Sequence, residues 1–234
     1  MATASAIIVA GGAGNRFGSE TPKQFLALAG KPLLAHTLAR FDACAAIKRI
    51  VLVLPGDGFN QSRVTMERFV GDKPTDIVPG GESRQASVRE GLSCLEPWPE
   101  SLIAVHDGAR PLVDDELITR VVEKASEHGG AIAAIPVVET LKEVSDAMAI
   151  ERTLDRKRYY RAQTPQCFRY GILREAFEAA GRDGFVGTDE AALVERLDAT
   201  IHVVAGSEHN IKITTQEDMA RAEYYLMSRR SSRG

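Results

Sequence analysis

The sequence predicts an α/β fold built on a mostly parallel sheet flanked by helices. Three observations carry that expectation. Short β-branched runs recur without polar alternation, the mark of strands buried on both faces. Between them lie segments whose apolar residues repeat at helical spacing, so strand and helix alternate. At 234 residues the chain has the length of one large domain, given roughly 150 residues per domain.

Each element follows in order from the residues. Ala6-Ile-Ile-Val-Ala10 leaves no solvated face and reads as the first strand. Leu34, Leu38 and Phe41 give the first helix its apolar stripe. Ile50–Leu54 is the next strand; Val88, Leu92 and Leu95 mark a helix, Leu102–His106 a strand, Leu117, Val121 and Ala125 a helix, and Ala131–Ile135 a strand. From about 137 to 160 the rhythm breaks into charged, turn-like text, with short β-compatible pieces around Ser145-Asp146, which predicts a protruding hairpin. Leu141, Val144, Ile150 and Leu154 on such an arm need cover, and that points to a homodimer. Ile201–Val204 supplies the last strand, and Met219, Ala222 and Leu226 the last helix. Residues 1–228 are expected as one domain and 229–234 as a basic tail.

Composition excludes several classes of function. Lys and Arg number 29 against 32 Asp and Glu, a net charge of -3, which argues against nucleic acid as a partner held by bulk positive charge. No apolar stretch approaches the roughly 18–20 residues of a membrane span, so no membrane partner is expected. Met1–Ser5 has no basic region of a signal peptide, which predicts a cytoplasmic protein. Cys44, Cys94 and Cys167 are odd in number and form no CxxC pair, so neither a disulfide framework nor a zinc site is expected. GxSxG and HExxH are absent, and His36, His106, His128, His202 and His209 do not cluster in sequence.

What the chain does offer is anion chemistry. Ala10-Gly11-Gly12-Ala-Gly14-Asn-Arg16-Phe17-Gly18 follows the first strand, and its glycines free backbone N–H groups to approach a phosphate. Phe17 stands where a dinucleotide fingerprint needs glycine, and no P-loop Gly-Lys-Ser/Thr is present. Arg16 and Lys23 place two cations on this segment, suited to charge on a triphosphate; the plainer alternative is a tight turn with solvated side chains. Gly80-Gly81 precedes a helix opening with Ser83, Arg84 and Ser87, an anion-attracting N-terminus unless Ser83 merely caps it. His106-Asp107-Gly-Ala-Arg110-Pro111 lies where a buried strand emerges. Asp107 there either holds a hydroxyl pair or forms an ion pair with Arg110. Arg161-Ala-Gln163-Thr164-Pro-Gln166 and Gly187-Thr188-Asp189-Glu190 add small polar groups. Asn210-Ile-Lys212-Ile-Thr214 is strand-like, and the pattern favours an outward Lys212. With no nucleophilic side chain or strong base in sight, the set fits a reaction whose nucleophile arrives anionic, such as a phosphate monoester attacking a nucleotide α-phosphate.

Taken together and in order, these motifs resemble the 2-C-methyl-D-erythritol 4-phosphate cytidylyltransferase family from about residue 5 to 227. The resemblance implies a Rossmann-like, glycosyltransferase-A-like nucleotidyltransferase fold that is homodimeric through a protruding β-arm. It implies CTP and methylerythritol phosphate as substrates, Mg²⁺ as cofactor, and a place in non-mevalonate isoprenoid synthesis. Arg16 and Lys23 would then stabilise the α-phosphate and departing pyrophosphate. Ala10, Gly11, Gly12, Gly14, Gly80, Gly81, Arg84 and Ser87 would cradle the nucleotide, with Asp107 and Arg110 near the sugar. Lys212 and Arg156 would hold the acceptor phosphate, with Thr164, Thr188 and Asp189 beside them. Arg156 and Thr140 would reach across the dimer. No protein residue is assigned to the metal, which the triphosphate oxygens would hold. Gly108 and His209 depart from residues common in relatives without disturbing the motif, and the chain stops before a cyclodiphosphate synthase domain could follow. A ribitol 5-phosphate cytidylyltransferase, which shares most of these motifs, and a silent nucleotide-binding regulator are the alternatives. Thr140-Leu-Lys142 and Leu154-Asp-Arg156 favour methylerythritol phosphate, and the presence of both Arg16 and Lys23 favours turnover.

Overall fold

A computed structural model describes residues 1–11, 22–95 and 101–231, the last three as backbone alone. In chain order the strands are β1 (Ala4–Val9), β2 (Ala27–Leu28), β3 (Lys31–Pro32), β4 (Ile47–Leu54), β5 (Thr75–Pro79), β6 (Leu102–Asp107), β7 (Gly130–Pro136), β8 (Lys142–Val144), β9 (Ile150–Thr153), β10 (Tyr160–Arg169) and β11 (His202–Ala205). The helices are α1 (Leu33–Ala43), α2 (Phe59–Glu67), α3 (Arg84–Ser93), α4 (Asp115–His128), α5 (Tyr170–Asp183), α6 (Glu190–Val194) and α7 (Gln216–Ser231). Seven strands form one sheet in the order β11-β7-β10-β6-β1-β4-β5. Neighbours are parallel except at β10, which runs antiparallel to both β6 and β7.

Most of the continuous apolar runs have the burial they predict: all six residues of β6 are buried, whereas β11, at the sheet edge, leaves Val203 exposed. Because successive side chains of a strand point to opposite faces, Ile7 and Ile8 enter different cores. Ile8 and Leu52 pack with Leu38, Phe41 and Val121 of α1 and α4. Ile7 and Val53 pack with Val88, Leu173 and Leu193 of α3, α5 and α6. A smaller cluster joins Leu28, Leu33, Leu112, Ile213 and Ala222, fastening α7 to the β2–β3 ladder.

One strand is unforeseen and one expected strand is absent. β10 occupies the middle of the sheet, although Pro165 lacks the N–H a central strand donates. The strand accommodates it by a shift of register between Ala162 and Gln166, so that Gln163-Thr164-Pro165 bulges out of the ladder to β7. Asn210–Thr214 is no strand but an irregular segment whose Ile213 N–H bonds the Ala109 carbonyl at 2.9 Å. Lys212 is thereby released from any strand alternation.

β8 and β9 pair antiparallel, Lys142 with Thr153 and Glu143 with Arg152, as a two-stranded sheet of their own. All four residues of β9 are exposed, and so are Val144 and Met148. No helix among the described residues is long and apolar enough to cross a membrane.

Candidate active site

Register sets the site's position. Val9 lies opposite both Val53 and Asp107, and Leu54 opposite Pro79, so β1, β4, β5 and β6 end together. Ligands of open α/β sheets bind outside the carboxyl ends of strands, and here that edge carries Gly11, Gly80 and Asp107. Ser83 caps α3, accepting from the Ala86 N–H at 3.0 Å. One turn on, Ser87 is fully buried, with Oγ within hydrogen-bonding distance of the Ser83 and Gly81 carbonyls. A Cβ on Gly11 or on Gly80 would stand 2.6 Å from that Oγ. Close approach therefore explains glycine at both positions, and the two loops meet across Ser87. Ala10 is buried behind them, its carbonyl accepting from Gln24 Nε2 at 2.9 Å.

Asp107 is the electrostatic centre. Its Oδ1 accepts from Arg84 Nε at 3.0 Å. Oδ2 meets Arg110 Nε at 3.3 Å and Lys212 Nζ at 3.0 Å. Burial alone would raise this carboxyl, but Arg84, Lys212 and Arg110 outweigh it and hold Asp107 far below the usual carboxylate range. Burial likewise disfavours the Arg84 charge, yet Glu190 and Asp107 keep the guanidinium more firmly protonated than usual. Burial pushes the Glu190 carboxyl up, opposed by that same guanidinium. Of the two readings of Asp107, the ion pair with Arg110 is the one observed. Lys212 remains exposed, as the outward reading expected, yet its ammonium also reaches Asp107, because the segment carrying it is not a strand. Lys23 comes to the same place, its Nζ donating to the Ile213 carbonyl at 3.1 Å.

Behind Asp107 a neutral scaffold fixes the turn. His106 is fully buried; its Nε2 lies 3.2 Å from the Arg110 carbonyl, so that nitrogen carries the proton. Nδ1 then accepts from Thr164 Oγ1 at 3.0 Å, and the same oxygen accepts from the Asp107 N–H at 3.0 Å. Thr164 thus spends its hydroxyl on protein groups. Asp189 does likewise: Oδ1 caps α6 at Ala192 and Oδ2 takes Gln166 Nε2 at 2.8 Å. Thr188 beside it is exposed. Arg156 and Thr140 are exposed next to the β8–β9 hairpin, Arg156 Nη1 bonding the Val138 carbonyl. Among the described residues no hydrogen bond or ion pair joins either to the Asp107 cluster. Gly12, Gly14 and Arg16 lie outside the described residues.

Glu190, Gln163 and Asn210 were given no role by the sequence reading. Gln163 Nε2 donates to the Ser207 carbonyl at 2.8 Å, and Asn210 Nδ2 to the Thr164 carbonyl at 2.8 Å. For Glu190 the available signal was placement, a second acid just inside a helix capped by the first, and for Gln163 an amide near Pro165; Asn210 reaches Thr164 from 46 residues away and had no local signal. The donor set of the described residues does not fit a protein-held Mg²⁺. Asp107 is saturated by three cations, and Glu190 and Asp189 by Arg84, Gln166 and the α6 N-terminus. No group of three His, Cys, Asp or Glu among the described residues could hold a metal ion.

A largely parallel sheet with a glycine cradle and a ring of cations at its carboxyl edge defines a Rossmann-like nucleotidyltransferase. Known proteins agree. The family model for 2-C-methyl-D-erythritol 4-phosphate cytidylyltransferase matches residues 4–228. A protein of that name from Syntrophus aciditrophicus is 45% identical over 222 residues, 94% of each chain, and one from Geotalea uraniireducens is 43% identical over 98% of this chain and 99% of its own. The solved 4-diphosphocytidyl-2C-methyl-D-erythritol synthase of Anaerococcus prevotii superimposes with TM-score 0.84 at 31% identity, covering 97% of this chain and 96% of that one. The chain belongs to the 2-C-methyl-D-erythritol 4-phosphate cytidylyltransferase family.

Proposed function

We propose that this chain transfers the cytidylyl group of CTP to 2-C-methyl-D-erythritol 4-phosphate, releasing pyrophosphate, in non-mevalonate isoprenoid synthesis. Alongside family membership, the observation that carries the reading is the convergence of Arg84, Arg110 and Lys212 on Asp107 beside the Gly11–Gly80–Ser87 cradle. An oxygen of the acceptor phosphate forms a bond to the α-phosphorus as the bond to the bridging oxygen of the β-phosphate breaks, and pyrophosphate leaves with that electron pair. The attacking oxygen is already anionic, so no protein base is required and positioning with charge stabilisation suffices.

In this reading the loops at Gly11, Gly80 and Gly81 hold the nucleotide and Asp107 faces its sugar. Lys23, with Arg16, stabilises charge on the phosphates. Lys212 and Arg156 hold the acceptor phosphate in line. Thr164 and Asp189, their polar atoms engaged, shape the site through neighbours, while the exposed Thr188 and Thr140 meet the acceptor. Any Mg²⁺ would ride on the triphosphate oxygens. The apolar Val144, Met148 and Ile150, exposed on the hairpin, support a homodimer built through it, and the chain works in the cytoplasm. Pyrophosphate release with CTP and Mg²⁺ tests the assignment. Release with methylerythritol phosphate and none with ribitol 5-phosphate is expected; the reverse preference would keep the chemistry and reassign the acceptor, and binding of CTP without turnover would refute the enzyme.

A further inference from the structure

Glu190 has no part in the reaction just described, yet it is 1% exposed. A carboxylate that deep persists only against a partner. Its Oε1 and Oε2 accept from Nη1 and Nη2 of Arg84 at 2.7 and 2.9 Å. A guanidinium is a rigid planar fork, so gripping both terminal nitrogens also fixes the direction of Nε, which is the nitrogen given to Asp107 Oδ1. The other Asp107 oxygen is thereby left to Arg110 and Lys212. The chain of contacts runs from the start of α6, through the start of α3 and the end of β6, to the segment after β11.

A second tie runs alongside. Gln85, the next residue of α3, donates Nε2 to the Phe185 carbonyl at 3.1 Å and accepts through Oε1 from the Gly187 N–H at 2.9 Å. Adjacent side chains of the helix that follows Gly80-Gly81 thus hold both ends of the segment bearing Thr188 and Asp189. Two carboxylates against three cations leave the cluster one positive charge in excess, which suits an incoming phosphate. Were Glu190 neutral, the Arg84 fork would lose its anchor. It would then turn both arms to Asp107, taking the oxygen that orients Lys212.

We propose that Glu190 is a positioning residue for cytidylyl transfer, acting through Arg84 and Asp107 to set the Lys212 ammonium against the acceptor phosphate. The proposal rests on the function proposed above. Its test is steady-state kinetics of the full chain as wild type, Glu190→Gln, Glu190→Asp, Arg84→Lys and the double variant Glu190→Gln/Arg84→Lys, with folding checked by circular dichroism and thermal melting. In Glu190→Gln the acceptor KM should rise about tenfold or more, the scale at which small misplacements are felt, while the CTP KM moves less than about threefold. Glu190→Asp should recover part of the loss. Arg84→Lys keeps the charge but cannot serve both carboxylates; it should raise the acceptor KM as well, together with the CTP KM because Arg84 itself stands in the nucleotide cradle, and adding Glu190→Gln to it should cost nothing more in acceptor KM.

An unmoved acceptor KM in folded Glu190→Gln would overturn the relay, as would equal rises for both substrates or full additivity with Arg84→Lys. If Glu190→Gln fails to fold, Glu190→Asp decides by the same criterion, an intermediate rise confined to the acceptor KM. Normal wild-type turnover with unmoved variants sinks the relay alone, whereas a wild type that releases no pyrophosphate sinks the proposed function and the relay with it.

Discussion

His106 is the residue whose protonation the fold decides most firmly. It is fully buried, its ring tilted against Phe41 at 4.8 Å between ring centroids, and bonded on both nitrogens. Burial drives its pKa from 6.5 down to about 3 against the opposing pull of Asp107. The folded chain therefore keeps the imidazole neutral where the unfolded chain protonates it. Stability from this group is complete above the unfolded value of 6.5 and is lost as pH falls toward about 3. The loss reaches at most about 1.4 kcal/mol per pH unit from one group. Urea denaturation at pH 7, 6 and 5 should show the fall, and His106→Gln, with no proton to take up, should flatten it by up to one proton's worth. Equal slopes in the two proteins would mean that the imidazole is not held neutral. Asp107, being held below the carboxylate range, adds its own loss only at lower pH. The same imidazole links back to function, since it aims the Thr164 hydroxyl that holds the Asp107 backbone.

Between elements, the joint that matters is where the loop after β1 and the loop before α3 close on Ser87. A methyl on Gly80 would meet Ser87 Oγ at 2.6 Å and the Leu54 carbonyl at 3.1 Å. Gly80→Ala should therefore destabilise by about 1–3 kcal/mol through overpacking and weaken CTP binding, read by chemical denaturation and calorimetry. Removing the oxygen in Gly80→Ala/Ser87→Ala should restore part of the stability, because the two changes share one contact; strict additivity would place the strain elsewhere. Legibility followed the same physics. β1, β4, β6 and β7 could be read because unbroken apolar runs fit only strands covered on both faces. β10 could not, since Pro165 and the polar Gln163 and Thr164 argue against a central strand, and only the register shift with its neighbours reconciles them. Gly11, Gly80, Asp107 and Lys212 were singled out by residue type and spacing. The Lys212–Asp107 pair and the burial of Glu190 depend on partners more than 80 residues away in the chain, which no local pattern encodes.

The question at the scale of the whole molecule is whether one chain holds a whole site. Lys23 and Lys212 lie together at the Ile213 segment, while Arg156 sits by an exposed hairpin, bonded to Val138. If the hairpin reaches into a second copy, Lys23 and Arg156 of one site come from different chains. Lys23→Ala should lower kcat by roughly 10²–10³-fold, about 3–4 kcal/mol of transition-state stabilisation, and Arg156→Ala should also be impaired. Equal mixing of the two variants by denaturation and refolding makes about half of the dimers mixed. Each mixed dimer has one site carrying both defects and one carrying neither, so about a quarter of all sites are intact. Activity should then recover to roughly a quarter of wild type although each parent is nearly silent. Recovery should vanish when the variants are refolded separately and combined without exchange. Mixed dimers, verified by mass spectrometry, that stay silent would mean that Arg156 serves its own subunit and that the exposed apolar residues of the hairpin answer to some purpose other than completing a neighbour's site.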